Sequence, residues 1–416
     1  MKKRNFISLA LLGIITSFYT LMENSWFNSW LGGVVKSSNF EISIMVSLNA
    51  AIGIVSYLVL GAISDNIRTK FGRRKPVLVM GLLLSSFFII MFSLSKNYLI
   101  CLLLDGIILG ITGNMMWSSW QPLIADLTTP RSRGKVNSNI FIFISLGGFF
   151  ITIIEILGDT DSRGFFTEGT HLLVFYITAI SMLVVAIIIS FSLKEPPMEE
   201  LPPQRKWYND LKSILDTQEL KEHKEFYKFL IATTILICGK FAFYPLLIVF
   251  RQIKGFDSFQ RLISYVILGI ATFIGTFILL RLSDKFGRKK VMIFSIPMAI
   301  GGLLLSIAID LSFIVFLIGY FLIFFFIEGS QKTQETWAQD LADEHARGKF
   351  LGIANIAQTI GRIPGLMLGG YIADLIDISA IFFVGAIIMV FSIPLYGRVR
   401  DIVTPSTTLE KEKSSI

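Results

Sequence analysis

Histidine and cysteine are nearly absent from this 416-residue chain, which has three of the first and two of the second. Cys101 and Cys238 both lie inside apolar runs, so neither a disulfide framework nor a metal site is implied. No histidine falls near the centre of such a run: His171 sits at an outer end, and His223 and His345 lie in charged connecting segments. A nucleophile, base and acid set, a phosphate-binding loop and a metal-ligand cluster are also missing, so neither an enzyme nor a cofactor is expected. Charge is scarce as well. Asp, Glu, Lys and Arg make up 16% of the residues against 53% apolar ones, and the mean hydropathy of +0.67 lies far from the soluble range.

Long apolar runs are what the chain has instead. A spanning helix needs roughly 20 apolar residues to cross a hydrocarbon core of about 30 Å, and the sequence predicts twelve such helices. They cover 6–31, 41–63, 77–95, 98–126, 137–158, 171–193, 228–252, 260–282, 291–308, 311–340, 349–373 and 379–397. The runs are continuous and do not alternate with period two, so helices are expected and a barrel is not. The first run continues past the length of a signal-peptide core without a small-x-small cleavage site, and reads as an uncleaved helix.

The net charge of +8 does not point to nucleic acid. Most of the 38 Lys and Arg fall in the tails and in the connections after even-numbered spans, which places both termini in the cytoplasm by the positive-inside rule. A multi-pass protein of the cell membrane is the expectation, with the lipid bilayer as its surroundings.

Two motifs repeat at one offset. Gly72 in "FGRRK" and Gly287 in "FGRKK" stand half a chain apart, and "DLTTPRSRGK" from Asp126 is matched by "DLADEHARGK" from Asp340. A shared offset indicates two six-helix halves, each with charged loops after its second and fourth helices. The expected organisation is an all-α membrane protein of two pseudo-symmetric bundles, residues 1–193 and 228–397. A cytoplasmic linker over 194–227 joins them, carrying an amphipathic helix with Trp207, Leu211, Ile214 and Leu215 on one side, and a disordered tail occupies 398–416.

In the second half Asp284, Lys285, Gly287, Arg288 and Lys289 follow the pattern Gly-x-x-x-Asp-(Arg/Lys)-x-Gly-Arg-(Arg/Lys). This resembles the signature loop of the major facilitator superfamily of secondary transporters. The first half departs by four extra residues, "NIRT", between Asp65 and Gly72. That longer form, ending in Gly-Arg-Arg-Lys-Pro, is similar to the glycoside-pentoside-hexuronide and sucrose symporter branch. The resemblance implies a central cavity framed by helices one, four, seven and ten, alternating access and a monomer. The paired aspartates of sodium-coupled members on helix two are absent, as are the Asp and Arg of sucrose symporters on helix four. The Gly-Pro motif of drug antiporters on helix five is also lacking.

The charged loops form a candidate cytoplasmic gate: Asp65, Gly72, Arg73, Arg74, Asp126 and Arg133 in one half, Asp284, Gly287, Arg288, Asp340 and Arg347 in the other. Asp65 can sit against the positive start of helix eleven near Lys349, and Asp284 against the start of helix five near Lys135. Arg73 or Arg74 can pair with Asp126, and Arg288 with Asp340. Such contacts latch one side and release it, unless the cations serve only as topology anchors.

Ionisable residues inside spans cost about 2.5 to 3.5 kcal/mol each at the bilayer centre, so they are expected to face partners or water. They are Glu23, Asp105, Glu155, Lys240, Glu328, Lys332, Glu335 and Arg362. By helical phase, helix ten carries Glu328, Gln331, Lys332, Glu335 and Gln339 on one stripe. Helix seven aligns Thr233, Lys240, Tyr244 and Arg251, and helix eleven aligns Asn355, Gln358, Thr359 and Arg362. Thinner stripes hold Glu23; Asn114, Trp117 and Gln121; and Glu155. Asp105 falls opposite Asn114 and reads as a surface or packing charge. Glu328 and Lys332, four apart, can also pair within their own helix.

Those stripes form the candidate cavity for a small-molecule substrate and its coupling ion. With no central histidine, the carboxylates Glu23, Glu155, Glu328 and Glu335 are the candidates for proton coupling. Trp117 and Trp120 with Asn114 and Gln121 suit a sugar, which offers a ring face and hydroxyls. Lys240, Lys332 and Arg362 suit an organic anion, amino acid or peptide instead, and export is open as well as uptake. A channel and a non-transporting solute sensor are the readings from other classes.

Overall fold

The computed structural model describes residues 3–128, 130–196, 223–342 and 347–401. The linker residues 197–222, with Trp207, Leu211, Ile214 and Leu215, the tail residues 402–416 and His345 lie outside them.

The described residues form twelve long helices, close to the expected spans. The first six are α1 (Lys3–Val35), α2 (Asn39–Asn66), α3 (Lys75–Ser93), α4 (Tyr98–Leu103 continuing through Gly110–Leu127), α5 (Pro130–Leu157) and α6 (Glu168–Ser192). The second six are α7 (Lys224–Ile253), α8 (Ser258–Phe286), α9 (Arg288–Ser306), α10 (Phe313–Leu341), α11 (Arg347–Leu375) and α12 (Ala380–Gly397). All but α11 are apolar enough to cross a membrane by length and composition, and α11 is the helix with the Asn355, Gln358, Thr359 and Arg362 stripe.

Local chemistry sets several ends. Ser38 and Glu41 close a capping box at the start of α2, each side chain taking the other's backbone N–H. Asn97, Thr167 and Ser312 accept backbone N–H groups at the starts of α4, α6 and α10. Pro245, which lacks an N–H, interrupts α7, and the chain passes through a single 3₁₀ turn at Tyr244–Leu246.

Three long helices also carry π turns. A π turn covers Met22–Trp26 and another Leu31–Val35 in α1, one covers Leu104–Leu109 in α4, and one covers Phe324–Glu328 in α10. Glu23, Asp105 and Glu328 each fall within one of these turns. A π turn inserts a residue and rotates everything beyond it, and such turns concentrate at functional positions.

The chain divides into two compact units, Met1–Leu215 with Arg251–Ser258, and Asp216–Phe250 with Phe259–Ile416. In the first, α1 packs on α5 and α6, α3 on α4 and α6, and α2 on α4. In the second, α7 packs on α11 and α12, and α9 on α10 and α12. The pairing of the first, third, fifth and sixth helices is the same in both, as a duplicated bundle requires.

Close approach in the second unit is a matter of glycine. Gly361, Gly365 and Gly369 recur every fourth residue along α11, and a Cβ on any of them would collide with the carbonyl oxygen of Thr234, Cys238 or Ala242 on α7. Small residues at this spacing let helix backbones touch where lipid offers no hydrophobic drive. The contact fixes the α7 face that carries Lys240 relative to the α11 face that carries Arg362.

Candidate functional site

A cavity of about 190 Å³ opens within the second unit between α7, α10 and α11. Its polar lining comes from Lys240 on α7; Ser330, Gln331, Gln334 and Glu335 on α10; and Asn355, Gln358 and Arg362 on α11. Four of these are carboxamides, each able to give and take hydrogen bonds. Leu236, Ile237, Phe241 and Ile327 supply apolar wall.

An ion pair borders this space. Lys240 Nζ lies 2.6 Å from Glu328 Oε1, with both side chains about seven-eighths covered. The Lys240 ammonium also faces the rings of Tyr244 at 5.1 Å and Phe241 at 5.9 Å. Arg362 lies over the opposite part of the same wall, 4.5 Å from the Phe241 ring centre. Cations over aromatic faces gain about 0.5 to 2 kcal/mol, more as water is excluded.

Glu328 therefore does not pair with Lys332 four residues on. Lys332 instead bonds Glu335 at 2.6 Å, largely in water, and Gln331 donates to the same carboxylate at 3.3 Å. The π turn that ends at Glu328 aims its carboxylate toward α7 and leaves Lys332 on the next, regular part of the helix. Beneath the cavity, Gln334 donates to Tyr396 Oη at 2.6 Å, and Tyr396 and Thr233 hydroxyls meet at 2.9 Å. Gln334 was not among the sequence candidates; its signal was phase, since it shares a face with Gln331 and Ala338.

In the first unit the candidates are more dispersed. Glu155 pairs with Arg251 at 2.7 Å, both nearly sealed from solvent, and Arg251 belongs to this unit with the segment through Ser258. Beside them Gln252 donates to Ser29 at 2.6 Å, and Ser29 meets His171 Nε2 at 2.7 Å. Glu23 is half-buried and acts electrostatically on Tyr19 and Asp105. Asp105 is not at the surface: it is 1% exposed and accepts from Asn49 Nδ2 at 3.3 Å. Its π turn breaks the regular phase that had set it opposite Asn114. Asn114 donates to the Gly110 carbonyl of its own helix at 2.6 Å, Trp117 is half-buried, Trp120 is in the core, and Gln121 is exposed.

The family model of the Major Facilitator Superfamily matches residues 5–366 and 267–415. The chain belongs to the major facilitator superfamily. No curated protein sequence matches it. Solved structures share the fold at low identity. A bacterial homolog of the human lysosomal transporter Spinster, inward-facing and unoccupied, is 13% identical with a TM-score of 0.73, covering 95% of this chain and 97% of its own. The nucleoside transporter NupG is 16% identical (TM-score 0.71; 95% and 98% covered), and a D-xylose-proton symporter 17% identical (TM-score 0.71; 95% and 97% covered).

The signature loop of this superfamily is built twice, and each copy forms contacts inside its own unit. In the first, Arg73 grips Asp126 through both carboxylate oxygens at 2.9 and 2.8 Å, and Arg74 bonds Asp126 at 2.7 Å and Asp65 at 2.5 Å. In the second, Arg288 bonds Asp284, Asp340 at 3.3 Å and Ser283 at 2.7 Å. The side chains of Lys135, Arg133, Arg347 and Lys349 lie outside the described residues, and with them the expected contacts of Asp65 and Asp284 at the starts of α11 and α5.

Both loops also hold a carboxylate that sequence reasoning missed. Glu195, just past α6, accepts backbone N–H groups of Arg73 and Arg74 at 3.0 Å each, and of Lys75, at the start of α3. Asp401, past α12, accepts the Lys289 N–H at 3.2 Å at the start of α9. Each sits against a glycine with positive φ, Gly72 at 113° and Gly287 at 95°. No side chain fits there: a Cβ on Gly72 would lie 2.6 Å from Glu195 Cδ. An anion at a helix N-terminus satisfies unpaired N–H groups and meets the positive end of the dipole.

Proposed function

We propose that this chain is a secondary active transporter that carries a small polar solute, a sugar or glycoside, by alternating access coupled to proton symport. The observation that carries the reading is the second-unit cavity, whose wall combines four carboxamides and the Phe241 ring with Lys240, itself paired to Glu328. Carboxamides offer paired donors and acceptors to hydroxyl groups, and an aromatic face suits a sugar ring. Superfamily membership and a fold shared with a D-xylose-proton symporter and a nucleoside transporter support it. The lengthened α2–α3 loop supports placement near the glycoside-pentoside-hexuronide and sucrose branch.

In this reading Glu328 takes the coupling proton. Once neutral it no longer holds Lys240, and the ammonium turns to a solute oxygen or a neighbouring carboxamide. Return of the ion pair expels both proton and solute. Glu23, Glu155 and Glu335 are the remaining carboxylates that a proton could visit. The double set of loop carboxylates and arginines latches the cytoplasmic side, with both termini there and a cell-membrane location. Lys240 and Arg362 favour a second reading, a carboxylated solute such as a uronate, amino acid or peptide.

The full chain in proteoliposomes separates these outcomes. With an inward proton gradient, labelled D-xylose or uridine is expected to accumulate, and to equilibrate only when the gradient is collapsed. Equal flux with and without the gradient identifies a channel, accumulation of D-glucuronate alone identifies the anion reading, and binding without flux identifies a sensor.

A further inference from the structure

One helix of the second unit carries two opposed stripes. Along α8, Ala271, Gly275, Leu279 and Ser283 are buried at every fourth position, and a Cβ on Gly275 would strike the Phe325 carbonyl of α10, so this stripe is the packed one. Phe273, Phe277, Arg281 and Lys285 recur at the same spacing two residues on, which sets them about 200° round the helix. All four are exposed, Phe273 at 66% and Phe277 at 52%. Ile270, Ile274 and Ile278, exposed as well, flank the rings.

The outer stripe changes character along its length. Phe273 and Phe277 meet with ring centres 4.9 Å apart, and beyond them the same face turns cationic up to the end of α8. At the α-helical rise Phe273 and Lys285 are about 18 Å apart. On a membrane-spanning helix the rings therefore lie at acyl-chain depth and the cations at headgroup depth. Arg281 and Lys285 stand four residues apart, a spacing at which like charges repel. Neither has a carboxylate partner among the described residues, and Asp284, between them in sequence, is bonded to Arg288. Lys285 covers the face of Phe286, with its ammonium 5.3 Å from the ring centre. At the offset that relates Gly72 to Gly287, α2 has Leu58, Ala62 and Asn66 in place of Phe273, Phe277 and Arg281. The stripe is thus particular to the second unit, and a topology bias in Lys and Arg does not account for its rings.

We infer that the exposed face of α8 is a binding site for an anionic phospholipid, with Arg281 and Lys285 taking the headgroup phosphate and the acyl chains lying along Phe277 and Phe273. Arginine presents a planar fork to phosphate oxygens and lysine a point charge. A zwitterionic headgroup brings an ammonium of its own to two cations, so a lipid of net negative charge fits better. Acyl chains cover rings that water would otherwise meet. The inference needs α8 to cross a membrane and is independent of which solute is carried.

The test uses the full chain in dodecyl maltoside, titrated with phosphatidylglycerol or phosphatidylcholine and followed by thermal unfolding and native mass spectrometry. Phosphatidylglycerol is expected to raise the melting temperature and to stay bound in the mass spectrum, and phosphatidylcholine to do less of both. Arg281→Gln with Lys285→Gln is expected to raise half-saturation by phosphatidylglycerol about thirtyfold, about fivefold for each cation near a membrane surface. The lipid-free melting temperature of that variant is expected to stay within about 2 °C of wild type, because both side chains are exposed. Phe273→Ser with Phe277→Ser, which keeps the cations, is expected to raise half-saturation about threefold or more.

Two controls bound the site. Lys290→Gln removes an exposed lysine beyond the loop and is expected to leave half-saturation unchanged; a loss equal to that of the double glutamine variant reduces the effect to diffuse surface charge and overturns the inference. Glycerol 3-phosphate, which has the headgroup phosphate without chains, is expected to give no rise in melting temperature, and a rise equal to that with the lipid assigns a soluble-anion site instead. Equal phosphatidylglycerol titrations for wild type and the double glutamine variant overturn the inference outright.

Discussion

The two units share one helix pairing scheme and place their ionic and polar groups differently on it. In the first, ionic groups crowd the loop end, where Arg73, Arg74, Asp65, Asp126 and Glu195 form one connected cluster. In the second, the matching loop has a single arginine shared between Asp284 and Asp340, and Asp401 takes one described backbone N–H where Glu195 takes three. The balance reverses along the helices. The second unit holds the carboxamide cavity and the Lys240–Glu328 pair, whereas polar groups deep in the first are bonded to one another, as Glu155 is to Arg251 and Asp105 to Asn49. Duplication supplies the scaffold twice, and the polar residues placed on it differ between the two copies.

The sharpest way to break that division is at the ion pair. Lys240→Met leaves Glu328 without its partner in a largely covered site and is expected to cost about 3 to 5 kcal/mol, with uptake lost. Lys240→Met with Glu328→Gln is expected to recover most of the thermal stability and none of the gradient-driven accumulation. Recovery of accumulation in the double variant would place coupling elsewhere, and Glu155→Gln then becomes the informative variant.

Next in size is the seam of the second unit. Gly365→Ala puts a methyl group into the Cys238 carbonyl and is expected to cost about 1 to 3 kcal/mol by forcing α7 and α11 apart. Gly352→Ala, on the same helix with open space at its Cβ, serves as the control and is expected to stabilise slightly. Equal melting temperatures for the two variants would remove the seam from the account.

The loop contrast comes third. Glu195→Gln is expected to destabilise by about 1 to 2 kcal/mol, and Asp401→Asn by about half as much, because one carboxylate serves three N–H groups and the other one. Thermal unfolding of the two variants side by side checks the order, and a larger loss for Asp401→Asn reverses the comparison.

The smallest effect lies in the α5–α6 loop. Burial alone would raise the Asp161 carboxyl, but the Arg163 side chain and the N–H groups of Arg163 and Phe165 outweigh it and hold it below the usual carboxylate range. A group whose pKa is lower folded than unfolded stabilises above its unfolded value and loses that contribution as pH falls through its folded value. Between pH 5 and 3 wild type is therefore expected to lose about 1 to 2 °C that Asp161→Asn does not, given the partial exposure of the pair.

The sequence revealed helices and motifs more readily than phase. Apolar runs located all twelve helices, though α5 begins at Pro130, earlier than its apolar run, and the repeated Gly-Arg loops announced the duplication, because both are local and periodic. Asp105, read as a surface or packing charge, is buried because a π turn shifts the register that a 3.6-residue wheel assumes, and a second such turn gives Glu328 its partner on α7; no residue type in "LDGIIL" or "FFFIE" marks such a turn. Glu195 and Asp401 escaped for a different reason. Their partners are backbone N–H groups more than a hundred residues away, and a carboxylate just beyond a helix reads as an ordinary solvated charge until the fold closes on it.

The glycine seam between α7 and α11 has one more consequence. With three carbonyls of α7 resting directly on glycines of α11, no rotamer change can bring the two backbones closer. Two walls of the cavity are thus joined backbone to backbone, one bearing Lys240 and the other Arg362. A substitution that reshapes this cavity without breaking the seam therefore acts through lining side chains or through α10, while α7 and α11 keep their spacing.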